Sequence, residues 1–360
     1  MPNETSYIMK KNKIVTFGEI MLRLSKPAHC RLFQGSTFKE NYGGSEANVS
    51  VSLATLGDDV EYITRVPDNL IGTNVCLKLN EYNVSTAHVV RGGDRLGTYF
   101  FEGAAAMRNS CVVYDRQDSA FYSLRPEMID WHQTLQGAGI LHTSGISCAV
   151  SQGALDTVMA AISAAEDEGL TISFDINYRK NLWKYGRKAE DVLPQACRHA
   201  DIIFGDQGEY EILSGMKRVP FTATDSNYSM DLDAFKAYCE AVQALYPKCK
   251  KFVMACRNQI TSNHHTLSGL IYTNGKLYST RIYDITEVVD PMGVGDAFIA
   301  AYLHSYMKWG DDNQHCLDFS LAASAVKNSI VGDFNLVDEE EINRIMNDDD
   351  EDFKIYAELD

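Results

Sequence analysis

Short apolar runs recur along this chain, and the stretches between them carry apolar residues at helical spacing. That alternation constrains the fold more than any other feature. Residues 14–20, 60–66, 140–142, 170–175, 202–204 and 252–255 read as buried strands. Between the first two, Val49, Leu53 and Leu56 recur at i, i+4 and i+7, with Ser45 placed to cap the helix and Gly57 to close it in the left-handed region. Leu155, Met159 and Ile162 mark a second helix over 153–168. Strands joined through helices pair in parallel, so the expected fold is α/β, a doubly wound, mostly parallel sheet flanked by helices.

Two regions break the rhythm. Residues 22–42 are polar and mixed, and 98–102 with 112–114 read as two strands around a loop. Together they predict a small β-sheet lid, drawn from about 22–42 and 96–117 and inserted into the main domain. A hairpin is expected from 269–272 and 276–283 around Thr273-Asn274-Gly275.

With 360 residues, 45% of them hydrophobic, the chain can bury a large core. It lacks a run of about 18 apolar residues, so no membrane span is expected. An N-terminal stretch without an apolar segment predicts no secretory signal. The net charge of −16 argues against a nucleic-acid partner, whose phosphates it would repel. Much of that charge sits at 338–360, where eleven acidic residues face two basic ones. This segment reads as a solvated acidic C-terminal tail, leaving 13–337 as the folded domain. Nine scattered cysteines without a CxxC pair read as reduced, mostly buried thiols of a cytoplasmic protein. Nothing resembles a zinc site.

The most informative stretch is Asp290-Pro291-Met292-Gly293-Val294-Gly295-Asp296, which runs straight into an apolar helix. Glycines at such a turn let backbone N–H groups face an anion, and the helix start adds partial positive charge. No Lys-Ser/Thr follows, so this is not a Walker loop. Asp296 would repel phosphate, but it makes sense as a base that accepts a proton from an attacking hydroxyl. A plain helix cap is the competing reading.

Taken together, these residues resemble the ribokinase-like (PfkB) carbohydrate kinase family. Its C-terminal signature matches Asp290, Gly293, Gly295 and Asp296, and its N-terminal Gly-Gly-x-x-x-Asn matches Gly43, Gly44 and Asn48. Within the family the chain is most similar to 2-keto-3-deoxygluconate kinases. The likeness rests on residues 17–24, 92–100, 113–121, the Asp175-Ile176-Asn177-Tyr178-Arg179 segment and Gly332-Asp333-Phe334-Asn335. The resemblance implies in-line transfer of the ATP γ-phosphoryl group to the terminal hydroxyl of a sugar acid. Asp296 would be the base, and the amides of Gly293, Val294 and Gly295 would receive the developing charge. It places Gly43, Gly44, Asn48, Tyr99, Tyr114, Arg116, Arg179 and Asp333 around the sugar. Arginine suits a carboxylate because it donates two parallel N–H bonds, and a buried, uncompensated arginine would be costly without one. Asp206 and Glu209 fall at the nucleotide, Glu209 as an indirect metal contact. The implied cofactors are ATP and Mg²⁺, and a monovalent cation is admitted. A homodimer through the lid is expected. The alternatives are a kinase of another sugar such as fructose, or a non-catalytic binding protein of the same fold.

The sequence departs from the family in three places. Pro291 replaces a residue that has an N–H. Asp206 stands where the family has Asn, adding a negative charge near the triphosphate. Ala255-Cys256-Arg257 replaces the Thr-x-Gly of the nucleotide site, followed by His264 and His265, which read as solvated loop residues.

Overall fold

The computed structural model describes residues 12–223 and 228–347. Its centre is a nine-stranded sheet. Six strands are parallel and lie in the spatial order Val60–Ile63, Lys13–Phe17, Ala138–Ser144, Thr171–Asp175, Ile202–Gly205, Lys251–Gln259. The antiparallel strands His265–Thr273 and Lys276–Ser279 extend the sheet, and Tyr283–Ile285 pairs with the first of these. Continuous apolar runs form these strands because both faces are covered. One core holds Leu155, Val158, Leu193, Tyr210 and Phe235 from helices on one face. The other holds Val49, Leu53, Phe298 and Leu321 from the helices Ser45–Thr55, Val294–Trp309 and Asn313–Lys327.

The chain leaves the first strand for Val60–Ile63 on one side and later returns to Ala138–Ser144 on the other. A crevice outside the carboxyl ends of the strands opens at such a switch point, which is where ligands bind in doubly wound sheets.

The lid is a separate four-stranded sheet in the order Lys39–Gly43, Met21–Ser25, Gly97–Glu102, Cys111–Asp115. Its strands match the expected segments to within one residue, with Met21 and Gly43 just outside them. The hairpin turns at Asn274 and Gly275, with φ of 50° and 73°, the double left-handed turn that asparagine and glycine tolerate. The returning strand breaks after Ser279 and resumes at Tyr283.

The acidic segment is not simply a solvated tail. Glu339–Asn347 is a helix whose Ile342 is buried and whose Ile345 and Met346 pack beside Phe319 and Ala322. Those three apolar residues are spaced i, i+3, i+4, while Glu339, Glu340 and Glu341 fill the first turn, where the helix dipole favours negative charge. The folded domain therefore runs past 337 to at least 347. Residues 348–360 lie outside the described residues. All nine cysteines are free thiols, six of them buried. No described helix is long and apolar enough to cross a membrane.

Candidate active site

The helix Val294–Trp309 begins at Gly293, which adopts φ 78°. A side chain there would also run into the Asp333 carbonyl, so glycine is required for both conformation and space. No side chain caps this helix. Its first-turn amides are therefore free to face a ligand. A Cβ on Gly295 would meet nothing within 4 Å, so the side of the helix start at Gly295 is unobstructed. An anion such as a phosphoryl group fits an uncapped, unobstructed helix start.

Asp296 lies in the first turn but does not cap it. Its Oδ1 accepts from Ser45 Oγ at 2.8 Å and its Oδ2 from Asn48 Nδ2 at 2.7 Å. Ser45 is thus no cap either; Gly44 holds the N-cap position of its helix. Burial pushes the Asp296 carboxyl above the ordinary range. The bonds from Asn48 and Ser45 and the charge of Arg179 pull it back, and Asp333 adds to the rise. Asn48 has little left for a sugar, because its Oδ1 also accepts from the Gly44 amide at 3.3 Å. Asn177 Nδ2 donates to Ser45 Oγ at 3.0 Å and to Asp175 Oδ2 at 2.8 Å, extending the network to the end of the next strand but one.

A second cluster joins the lid to the body. Arg23, 1% exposed on a lid strand, donates from Nη1 to Asp333 at 2.6 Å and from Nη2 to Asp290 at 2.7 Å. Its guanidinium also lies 4.2 Å from the Phe101 ring centroid. The Tyr99 hydroxyl donates to the other Asp333 oxygen. A side chain on Gly43 would land on that same oxygen, and one on Gly44 would strike the Glu19 carbonyl. Asp290 ties the loop together. It accepts from the amides of Met292 at 3.1 Å and Gly332 at 2.9 Å, so the N–H missing at Pro291 is replaced by the next one along.

Arg116 does not stand uncompensated. Its Nε donates to Glu19 at 2.8 Å and its Nη2 to the same oxygen, while Ser119 holds the other oxygen at 2.7 Å. The premise of a buried arginine waiting for a carboxylate fails here, because a buried glutamate balances it. Nη1 and the second N–H of Nη2 remain to donate. Tyr114 lies with its ring 5.7 Å from that of Tyr99. Arg179 is exposed, donates to the Tyr178 carbonyl at 3.2 Å, and makes no ion pair among the described residues. Its charge acts on Asp296, Asp175 and Glu209 together.

Asp206 and Glu209 form a reciprocal capping box at the start of the helix Gln207–Ser214. Glu209 accepts from the amides of Asp206 at 2.9 Å and Tyr178 at 2.6 Å, and burial followed by the Asp206 charge pushes its carboxyl to about 7. With both oxygens bonded to backbone, it fits a metal contact through water rather than a direct one. No cluster of three ligating side chains occurs among the described residues. His264 is part-exposed, while His265 is buried rather than solvated. His264 bonds Asp284 at 2.6 Å. His265 is 3% exposed, neither ring nitrogen has a partner, and burial holds its pKa near 4.

Sequence reasoning missed Ser45, Glu19, Asp175, Asn177 and Arg23 as site residues. The Asp-x-Asn-x-Arg run offered a signal for two of them. Arg23 offered none: in Met-Leu-Arg-Leu-Ser the structure buries the arginine more than the leucines, against its residue type.

The pattern of the pfkB family carbohydrate kinases matches residues 11–333. A crystal structure of 2-dehydro-3-deoxygluconokinase from Thermotoga maritima superposes with a TM-score of 0.87 at 34% identity, covering 94% of this chain and all of that one. A 2-dehydro-3-deoxygalactonokinase from Haloferax volcanii is 27% identical over 93% of this chain and 96% of its own length. A 5-dehydro-2-deoxygluconokinase from Listeria innocua is 23% identical over 90% and 92%. A free helix start, an aspartate held beside it and a match over nearly the whole chain have one common explanation: this protein belongs to the pfkB family of carbohydrate kinases and is a sugar kinase.

Proposed function

We propose that the chain transfers the γ-phosphoryl group of ATP to the terminal hydroxyl of 2-keto-3-deoxygluconate (2-dehydro-3-deoxygluconate), giving its 6-phosphate. The observation that carries the acid substrate is Arg179, an exposed guanidinium with no ion pair among the described residues, whose charge reaches Asp296. Arg116 Nη1 offers a second donor. Relatives named for keto-deoxy derivatives of gluconate and galactonate support the same substrate class.

In this mechanism the sugar lies under the lid, against Gly43, Gly44, Tyr99, Tyr114 and Asp333. Asp296 takes the proton of the terminal hydroxyl as its oxygen bonds to the γ phosphorus and the bond to the β–γ bridging oxygen breaks, releasing ADP. Asn48 and Ser45 hold the carboxylate in line. The amides of Gly293, Val294 and Gly295 receive the charge on the phosphoryl oxygens. Glu209 would hold Mg²⁺ through water, and the ion would supply positive charge against that of the phosphates. A monovalent cation enters no step. The open lid strand supports a homodimer, and the nine free thiols accord with a reducing, cytoplasmic compartment.

The test is ADP release with Mg-ATP against 2-keto-3-deoxygluconate, its galactonate counterpart, 5-dehydro-2-deoxygluconate, gluconate, fructose and ribose. Turnover should be confined to the keto-deoxy acids, with 2-keto-3-deoxygluconate preferred. Arg179→Leu should raise KM for the acid at least about tenfold, the loss of one charge-assisted contact. Arg179 is the cleaner probe, since removing Arg116 orphans the buried Glu19. Comparable turnover on fructose or ribose would sink the acid assignment.

A further inference from the structure

Asn177 has no task in the mechanism above, yet its backbone is unusual. It stands two residues beyond Asp175, at the carboxyl end of the strand Thr171–Asp175, with φ 39°. Six non-glycine residues adopt positive φ among the described residues: His29, Asn83, Ala106, Asp118, Asn177 and Asn274. Five of them are exposed, and Asn177 alone is buried. Asparagine tolerates the left-handed region better than most side chains, and a buried residue held there points to a function.

The turn is held on both sides by backbone bonds. The Ile176 N–H donates to the Phe204 carbonyl at 2.9 Å, and the Tyr178 N–H to Glu209 at 2.6 Å. The Asn177 side chain looks the other way. Its Nδ2 donates to Ser45 Oγ at 3.0 Å and to Asp175 Oδ2 at 2.8 Å, while its Oδ1 is buried without a partner. An amide kept only for packing would not leave a buried oxygen unbonded.

The consequence falls on Ser45. A hydroxyl has one proton, which it can turn towards any acceptor in reach. The bond from Asn177 enters Ser45 Oγ as an acceptor. The hydroxyl proton is then left for Asp296 Oδ1, 2.8 Å away. The bond to Asp175 fixes which half of the amide faces Ser45. No side chain caps the helix that Ser45 begins, so this hydroxyl has no competing duty there.

We propose that Asn177 is a positioning residue for phosphoryl transfer: its amide orients the Ser45 hydroxyl so that the proton is donated to Asp296. This rests on the reading of Asp296 as the base.

The experiment compares wild type with Ser45→Ala, Asn177→Gly, Asn177→Asp and the Ser45→Ala, Asn177→Gly double variant, by steady-state kinetics and by calorimetric titration of 2-keto-3-deoxygluconate. Glycine keeps the backbone conformation and loses the amide. Ser45→Ala and Asn177→Gly should each lower kcat about tenfold, with KM for ATP and Kd for the sugar acid within about twofold of wild type. Asn177 acts through Ser45, so the double variant should be no slower than Ser45→Ala alone. Asn177→Asp keeps the shape but offers Ser45 a competing acceptor, and should lower kcat at least as far as glycine does. It also decides the point should the glycine variant not fold. Wild-type kcat in either Asn177 variant, losses that add in the double variant, or a loss carried by Kd for the sugar acid would each overturn the proposal.

A second readout needs no turnover. The titration midpoint of Asp296 is read by carbon-13 NMR from the carboxyl signal that is missing in Asp296→Asn. It should rise by about half a unit in Asn177→Gly, and the double variant should match Ser45→Ala. The other charged groups that act on this carboxyl, Arg179, Asp333, Glu46, Asp175 and Lys327, are the same in every variant. An unmoved midpoint would overturn the proposal. A wild type inactive on every sugar, or an Asp296→Asn variant that keeps its kcat, would count against the mechanism, while the midpoint still decides whether Asn177 orients Ser45.

Discussion

The Asp296 carboxylate must be ionised to accept a proton, yet its burial favours the neutral form. Asn48 and Ser45 resolve the conflict by donating to the charged form from 2.7 and 2.8 Å. The sign of a pH effect follows. Protonated Asp296 cannot act as a base, so the acid limb of kcat/KM reports its titration and should lie above the ordinary aspartate value of about 3.9. Asn48→Ala deletes a bond that favours the charged form and should move that limb to higher pH, by about one unit for one charge-assisted hydrogen bond. Asp296→Asn should lower kcat by roughly 10² to 10⁴ at every pH. A limb that stays in place in Asn48→Ala would mean that Asp296 is not the titrating base. At this scale the sequence was legible where a residue type is odd for its setting, as with an aspartate among the glycines of an uncapped helix start. It was not legible where a residue's partner lies far along the chain. Arg23 meets Asp290 and Asp333 across some 270 and 310 positions, and nothing local distinguishes it from a surface arginine.

The helix Ser45–Thr55 shows what an element must give up to carry a site. Its apolar spacing predicts one buried face, but every residue from Ser45 to Ala54 is buried, because the sheet lies on one side and Val294–Trp309 on the other. Its polar residues therefore need internal partners. Ser50 finds Thr16 and the Glu46 carbonyl, while Glu46 Oε1 accepts from Ser144 and Ser147 at 2.7 and 2.9 Å. Glu46 Oε2 finds none, and burial pushes the carboxyl from 4.5 to about 7. A pKa raised on folding means that the folded state holds the proton more tightly. This group's contribution is complete below pH 4.5 and is lost as pH rises towards 7, a change on the order of 3 kcal/mol. Glu46→Gln keeps the shape and cannot ionise. It should raise Tm at pH 8 and change it little at pH 5. Equal Tm shifts at the two pH values would show that the carboxyl does not titrate in this window. Elements were legible when period and composition agreed, as in the parallel strands. The helix Glu339–Asn347 was missed because its charge concealed three well-spaced apolar residues.

At the scale of the whole molecule, the lid and body form one site only while they stay together. Arg23 and Tyr99 come from lid strands and bind Asp333 of the body, and Ser262 in the loop beyond Arg257 bonds the lid's Ala106 carbonyl. The outer lid strand Cys111–Asp115 is paired on one side only, with Val113 47% and Tyr114 45% exposed. An edge strand with open N–H and C=O groups and exposed apolar side chains is a template for a partner strand. A second copy of the lid would supply a matching edge, covering Tyr114 and steadying the wall of the proposed sugar pocket that it would share with Tyr99. Light scattering should therefore give the mass of a dimer. Val113→Lys places a charge in that interface without touching the core, and it should produce monomers with an unchanged unfolding midpoint. If the lid sheet needs its partner to stay closed, the monomer should show a higher KM for the sugar acid and faster ATP hydrolysis without sugar, because water then reaches the phosphoryl group. A wild type that is monomeric at micromolar concentration would remove the dimer. A Val113→Lys monomer with wild-type KM would leave the dimer but detach it from the site, and the Arg23 bridge alone would then account for closure.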